Sequence, residues 1–331
     1  MIFAMRHFRA RNSLRLIGGL VALVFAFACR SAAAEVWLAG VDPTARHELK
    51  VEGESDYGDL FQNDAPWPRA SVAVRVFKIS TRSLLVDSDD SLRRMFANLS
   101  RRGMELGLET LMIPQHQACG SNVEGYSAAG AIAAAALRVK RLGGELHYAA
   151  MDEPLWYGHR YAGANACRDT IDAVARQLAE NVAVLKSVFP KIEIGDIEPF
   201  ASSVPPDWGA EILQFAAAYR AATGAPLAFV QLDLHWSDDW RPFLADLVPR
   251  LRGAGIRYGL IYNGDPADET DLAWTRHAEE RFELVEQNPA LKPDDAILQT
   301  WMAHPTHMLP ETEPGTMTNL VLRYLAATHT R

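Results

Sequence analysis

Carboxylates close several apolar runs in this chain, and paired carboxylates can do acid–base chemistry on a bond held between them. The clearest case is residues 145–159, Glu-Leu-His-Tyr-Ala-Ala-Met-Asp-Glu-Pro-Leu-Trp-Tyr-Gly-His. Apolar residues through Met151 read as a strand buried on both faces, and Pro154 ends its pairing just after Asp152 and Glu153. Side chains alternate along a strand, so these two acids are expected to point opposite ways, with Glu153 facing the opening. Trp156, Tyr157 and His159 follow at once and place aromatic surface beside the acid. Residues 191–199 carry Asp196 and Glu198, and residues 227–236 carry Gln231, Asp233, His235 and Trp236. Asp196 and Glu198 share one strand face, as do Asp233 and His235, so each pair is expected to project into one space. Asn263 and Trp301 close two later runs.

The elements that must position these residues alternate strictly. Strands are expected over 36–40, 71–80, 110–114, 145–151, 191–199, 227–236, 256–264 and 296–302. Amphipathic helices are expected over 89–107, 127–142, 168–188, 208–223, 240–253 and 268–288, with a last one over 316–328. Eight strand–helix units in about 300 residues predict an α/β fold, a single (β/α)8 TIM barrel, with a long first connection and a C-terminal loop-helix segment. An open doubly wound sheet is the alternative, but no glycine-rich phosphate fingerprint follows the first strand. In a barrel the C-terminal strand ends converge on one rim, which would gather Asp42, Lys78 and His116 with the acids above. Residues 301–318, with Pro305, Pro310 and Pro314, are expected to fold over that rim. His304, His307 and Glu311 lack the spacing of a helical metal site, so neither metal nor other cofactor is expected.

Asp152-Glu153-Pro154 at the fourth strand end resembles the glycoside hydrolase-type (β/α)8 barrel superfamily, in whose large retaining group an Asn-Glu pair supplies the general acid. Trp301 matches the sugar-stacking tryptophan of the eighth strand end. The resemblance implies that Glu153 is the general acid and that the substrate is a poly- or oligosaccharide. This chain departs from the pattern twice: Asp152 replaces the usual Asn, and Asn263 stands where that group has its nucleophile. Geometry leaves two partners open. Glu198, one strand away, would lie within roughly 5–6 Å of Glu153, as retaining hydrolysis uses. Asp233, two strands away, would leave the roughly 6.5–9.5 Å that admits a water in inverting hydrolysis. Asp152, Trp156, Asp196, His235, Trp236, Asn263 and Trp301 are the expected substrate-binding residues. Two other readings stay open: a divalent-metal barrel using Glu153, Glu198, Asp233 and His235, and a saccharide-binding barrel without catalysis.

Residues 1–34 read as a secretory signal peptide cleaved near Ala34, which predicts export to the periplasm or the medium, with Cys29 a possible lipid-attachment site if the segment is an anchor. That segment holds five arginines and no acid, so removing it takes the formal charge from −8 to 28 minus 41, or −13. Such a surface repels phosphate backbones and argues against nucleic acid as a partner. No later run is long enough for a membrane span. Cys119 and Cys167 remain, an even pair expected to form one disulfide in an oxidising compartment.

Overall fold

In the computed structural model, which describes residues 33–329 apart from 41, 52–53 and 116–117, eight short apolar runs form parallel strands. They are β1 (Glu35–Ala39), β2 (Val74–Ser80), β3 (Glu105–Thr110), β4 (Leu146–Asp152), β5 (Glu193–Phe200), β6 (Phe229–Leu234), β7 (Arg257–Tyr262) and β8 (Asp295–Gln299). Each pairs with its neighbours in chain order, and β8 closes on β1 with Val36 beside Ala296 and Leu38 beside Leu298. The expected (β/α)8 barrel is thus the observed fold. The proposed leader lies outside the described residues except for its last two, and His116 lies outside them too. Among the described residues no helix is long and apolar enough to cross a membrane.

Several helices start where a hydroxyl can satisfy a free N–H group of the first turn. Ser88, Thr170 and Thr270 each accept from the N–H three residues on and open the helices Asp89–Arg102, Ile171–Val188 and Asp271–Glu286. Two boundaries differ from expectation. The second strand starts at Val74 because Pro68, free of an N–H to lose, opens a short helix over Pro68–Ala73. The helix expected to reach residue 107 stops at Arg102, since Gly103 takes the left-handed conformation (φ 71°) that closes it. The third strand is therefore Glu105–Thr110 and not 110–114; Ile113–Pro114 pair with Tyr126–Ser127 in a separate small sheet. That shift of register brings Glu109 onto the barrel.

Inside the barrel Trp37, Val76, Tyr148, Ala150, Ile197, Phe229, Ile261 and Ile297 form a closed apolar layer. Trp37 fills its centre, with ring centroids 4.9 Å from Tyr148 and 5.4 Å from Phe229. Counting two residues up from this layer puts Lys78, Asp152, Asn263 and Gln299 inward at the C-terminal rim, with Asp233 four up from Phe229. The first connection is built of short helices, Pro43–Leu49, Tyr57–Phe61 and Pro68–Ala73. The segment after β8 was expected to cover the rim, but only its start does so. Trp301 and Met302 line cavities there. Beyond them the chain is tied down beside β1: the N–H groups of Met308 and Leu309 donate to the Asp56 carboxylate, and Glu311 accepts from the N–H groups of Arg69 and Ala70. His304 and His307 are likewise engaged, by Asp271 and Asp56.

Gly195 faces the inner layer, where an added Cβ would sit 2.2 Å from the Phe229 ring. Gly195→Ala is expected to destabilise the barrel by about 1–3 kcal/mol through overpacking, read as a lower urea midpoint; an unchanged midpoint would contradict the close packing of this layer.

Candidate active site

The strand β4 ends at Asp152, and the next residue breaks the strand alternation. Glu153 has φ 46°, a left-handed conformation that costs a non-glycine residue about 1–3 kcal/mol. It is held there by its own N–H donating to Ile197 O (3.1 Å) and by its carbonyl accepting from Tyr157 N (3.0 Å). The turn changes the outcome of the alternation argument: Asp152 and Glu153 do not point opposite ways but line the same cavity. That cavity, about 360 Å³, is bounded by Glu109, Glu124, Asp152, Glu153, Asp233 and Gln299, with Tyr157 and Trp301 at its side.

Crowded and desolvated, Asp152, Glu153 and Asp233 hold their protons more tightly than ordinary carboxyls do. Burial raises Glu153 to about 10, with Asp152 and Asp233 adding repulsion. Burial also lifts Asp152 well above the usual carboxylate range, helped by Glu109 and Glu124 and opposed by Lys78. Asp233 rises less, to about 7, because Lys78 and a hydrogen bond from Asn263 favour its charged form against burial and Glu109. Arg281 fixes that hydrogen bond. Its Nη1 donates to both the carbonyl and the Oδ1 of Asn263 (2.5 and 3.0 Å), which leaves the amide NH₂ for Asp233. One wall therefore carries a carboxyl that is protonated at neutral pH and another that is half ionised.

Asp233 and Trp301 also line an adjoining cleft of about 480 Å³, together with His235, Trp236 and Asn263. Trp301 is 40% exposed, so its ring is a free surface between the two spaces. Trp236 is packed: it stacks on Tyr262 at 5.9 Å and lies under the Arg281 guanidinium. His235 reaches Asp238 at 3.1 Å.

Three expected site residues are elsewhere. Ile197 faces the barrel interior, so Asp196 and Glu198 face the helical layer on the other side of β5. Glu198 is fully buried and accepts from the N–H groups of Leu155 (2.7 Å) and Trp156 (3.1 Å). It caps the helical turn that follows Glu153, satisfying donors that such a turn leaves free. Burial and the neighbouring Asp196 keep Glu198 well above the carboxylate range despite those two donors. Trp156 packs edge-on against Trp208 at 5.7 Å and does not line the cavity.

Glu109 and Glu124 are cavity acids that sequence reasoning missed. Glu109 was hidden by the misplaced third strand, although Arg101-Arg102-Gly103 is a helix-end signal that could have exposed it. It pairs with Lys78 at 2.5 Å and accepts from Gln299 Nε2 at 2.9 Å. Glu124 sits in a loop and is brought in by the Cys119–Cys167 disulfide, whose Cα atoms are 5.1 Å apart. Gly120 N–H to Asn165 O (2.7 Å) and Asn165 Nδ2 to Ser121 O (2.9 Å) reinforce that clamp. Gly125, at φ 84°, lets the loop pass so close that a Cβ would lie 3.0 Å from Tyr157 Cβ. Closing this 48-residue span removes unfolded-state entropy worth about 4 kcal/mol.

No protein-family model matches this chain, and no curated protein does. Solved structures match its fold. A fungal β-1,4-galactanase superposes with TM-score 0.55 at 9% identity, over 88% of this chain and 99% of its own. GH5_18 from Streptomyces cattleya, in complex with GlcNAc, gives 0.53 at 11% over 90% and 80%. An intracellular xylanase from Thermoanaerobacterium saccharolyticum gives 0.50 at 8% over 83% and 87%. At these identities the likeness is one of fold: the chain has the (β/α)8 barrel found in these glycoside hydrolase structures.

Raised carboxyl values in the folded state mean that folding takes up protons above the ordinary carboxylate range near pH 4. The stabilisation is complete below that value and is lost as pH rises through about 7 for Asp233 and about 10 for Glu153. The urea midpoint is expected to fall between pH 5 and pH 9, and Glu153→Gln, which cannot ionise, to flatten the fall. A midpoint of the parent chain that is constant over this range would contradict the crowded cavity.

Proposed function

We propose that this chain is a glycoside hydrolase that cleaves a poly- or oligosaccharide with inversion, Glu153 acting as general acid and Asp233 as general base. The observation that carries the reading is that these two carboxyls share one cavity while their proton affinities differ, about 10 against about 7. Glu153 gives its proton to the glycosidic oxygen as the bond from that oxygen to the anomeric carbon breaks. Asp233 takes a proton from the water that forms the new bond to that carbon on the opposite face. The products are an alcohol and a hemiacetal of inverted configuration, and solvent returns a proton from Asp233 to Glu153.

Strand spacing supports inversion. Glu153 follows β4 and Asp233 lies on β6, two strands away at about 4.8 Å each, which fits the roughly 6.5–9.5 Å that leaves room for water. The retaining alternative needs Glu198 in the same space, but both its oxygens accept backbone N–H groups behind β5. The same placement dismantles the four-residue metal set, because Glu198 and Asp233 face opposite sides of the sheet. Barrels of this fold include a galactanase and a xylanase, which agrees with a saccharide substrate. Trp301 offers it a stacking surface at the cavity edge, and export through the 1–34 leader would bring the enzyme to glycans outside the cytoplasm.

A panel of polysaccharides screened with the parent chain tests this. On whichever glycan is cleaved, Glu153→Gln and Asp233→Asn are each expected to lower kcat/KM by about 10²–10⁴, and an activated aryl leaving group to restore turnover to Glu153→Gln alone. The rate should rise through pH about 7 as Asp233 ionises and fall near about 10 as Glu153 loses its proton. Product released with retained configuration would overturn the assignment of Asp233.

A further inference from the structure

Apart from the protons that Asp152 and Glu153 hold, the described side chains of the cavity wall present mainly hydrogen-bond acceptors. Five carboxyl groups line it, and the cation beside them, Lys78, is paired with Glu109. Two of the wall's side-chain donors face these acids, the Tyr157 hydroxyl bonding Glu124 and one N–H of the Gln299 amide bonding Glu109. Gln299 is only 5% exposed, and its Oε1 has no partner among the described residues. A buried acceptor without a donor is an unfilled requirement.

The bias continues outward. The acid cavity shares Asp233 and Trp301 with the adjoining cleft, and that cleft shares Phe200 and Ala201 with a third space of about 470 Å³ over the β5 and β6 ends. To the five acids the cleft adds Asp265, and the third space adds Asp207, Asp239 and Asp246, nine in all. The two arginines along the run are engaged: Arg281 by the carbonyls of Asn263 and Gly264, Arg250 by Asp246 at 2.8 Å.

A sugar hydroxyl brings one donor and no charge to set against this run of acids. A carboxylated sugar would be repelled. An ammonium group brings three donors, no lone pair and a positive charge. We propose that the substrate is a glycan whose sugar units carry free amines, with one ammonium seated against Glu109, Glu124 and Asp152 and further ones following the acidic run outward. This names the substrate class of the hydrolase site and rests on that reading. Seating a cation there draws the neighbouring acids toward ionisation, so binding an amine-bearing chain also sets the charge of the cavity.

Binding and turnover test the two readings separately. The full chain carrying Glu153→Gln is titrated calorimetrically with a β-1,4-linked glucosamine oligosaccharide, its fully N-acetylated counterpart and the matching glucose oligosaccharide. The amine-bearing ligand is expected to bind at least about tenfold tighter (1.4 kcal/mol at that ratio) and to lose that advantage in 1 M salt, where the screening length is about 3 Å. A second variant, Glu124→Gln, checked for the parent fold by circular dichroism, should narrow the preference. Equal affinities, a preference for either neutral ligand, or binding of none of the three overturns the proposal. In the parent chain, amine-selective binding without cleavage of any ligand would keep the cationic substrate and remove the hydrolase. Cleavage of the glucose and glucosamine chains with equal kcat/KM would keep the hydrolase and remove the cationic substrate.

Discussion

Carboxyl groups gathered around one small desolvated cavity cannot all be charged, since two anions about 5 Å apart repel by roughly 3 kcal/mol even at an effective dielectric of about 20. Everything distinctive in this barrel bears on that constraint. The rim collects Glu109, Asp152 and Asp233 from separate strands, the left-handed turn adds Glu153, and the clamped loop adds Glu124. The repulsion is relieved unevenly. Lys78 stands beside Glu109, and the Arg281–Asn263 pair supports the ionised form of Asp233, whereas Glu153 has burial and like charges around it. An acid and a base thereby emerge from residues of the same chemical type.

Groups that never reach the cavity hold this arrangement. Glu198 gives its two oxygens to the N–H groups of Leu155 and Trp156 and so anchors the turn that presents Glu153. Backbone strain at Glu153 is sustained because its own N–H and carbonyl are both bonded and a proline follows. The apolar layer around Trp37 closes the barrel floor, so the acids sit above a packed apolar plug. The disulfide and its flanking hydrogen bonds hold the loops after β3 and β4 together, and these are the loops that carry Glu124 and Tyr157.

The barrel was legible because the strands are apolar runs that end near polar residues and several helices open on a capping hydroxyl. Asp152, Glu153, Asp233 and Trp301 were legible for the same reason, as residues at strand ends. What could not be read was orientation. Period-two counting placed Asp196 and Glu198 together, correctly, but nothing in the sequence says which face of β5 is inward; that depends on Ile197 fitting the layer with Phe229 and Trp37. The same counting separated Asp152 from Glu153, and a single positive φ reversed it. Glu124 carried no periodic signal, because a crosslink and not a strand brings it in.

The central claim is that Glu153 keeps its proton at neutral pH because burial disfavours its charge and the acids around it add repulsion. Carbon-13 NMR of the glutamate side-chain carboxyls, with the Glu153 resonance assigned by Glu153→Gln, measures this directly. The account predicts a neutral carboxyl at pH 7 that ionises only near pH 10, and at a lower pH once Asp152 is replaced by Asn. A Glu153 carboxyl already ionised at pH 5 would contradict it.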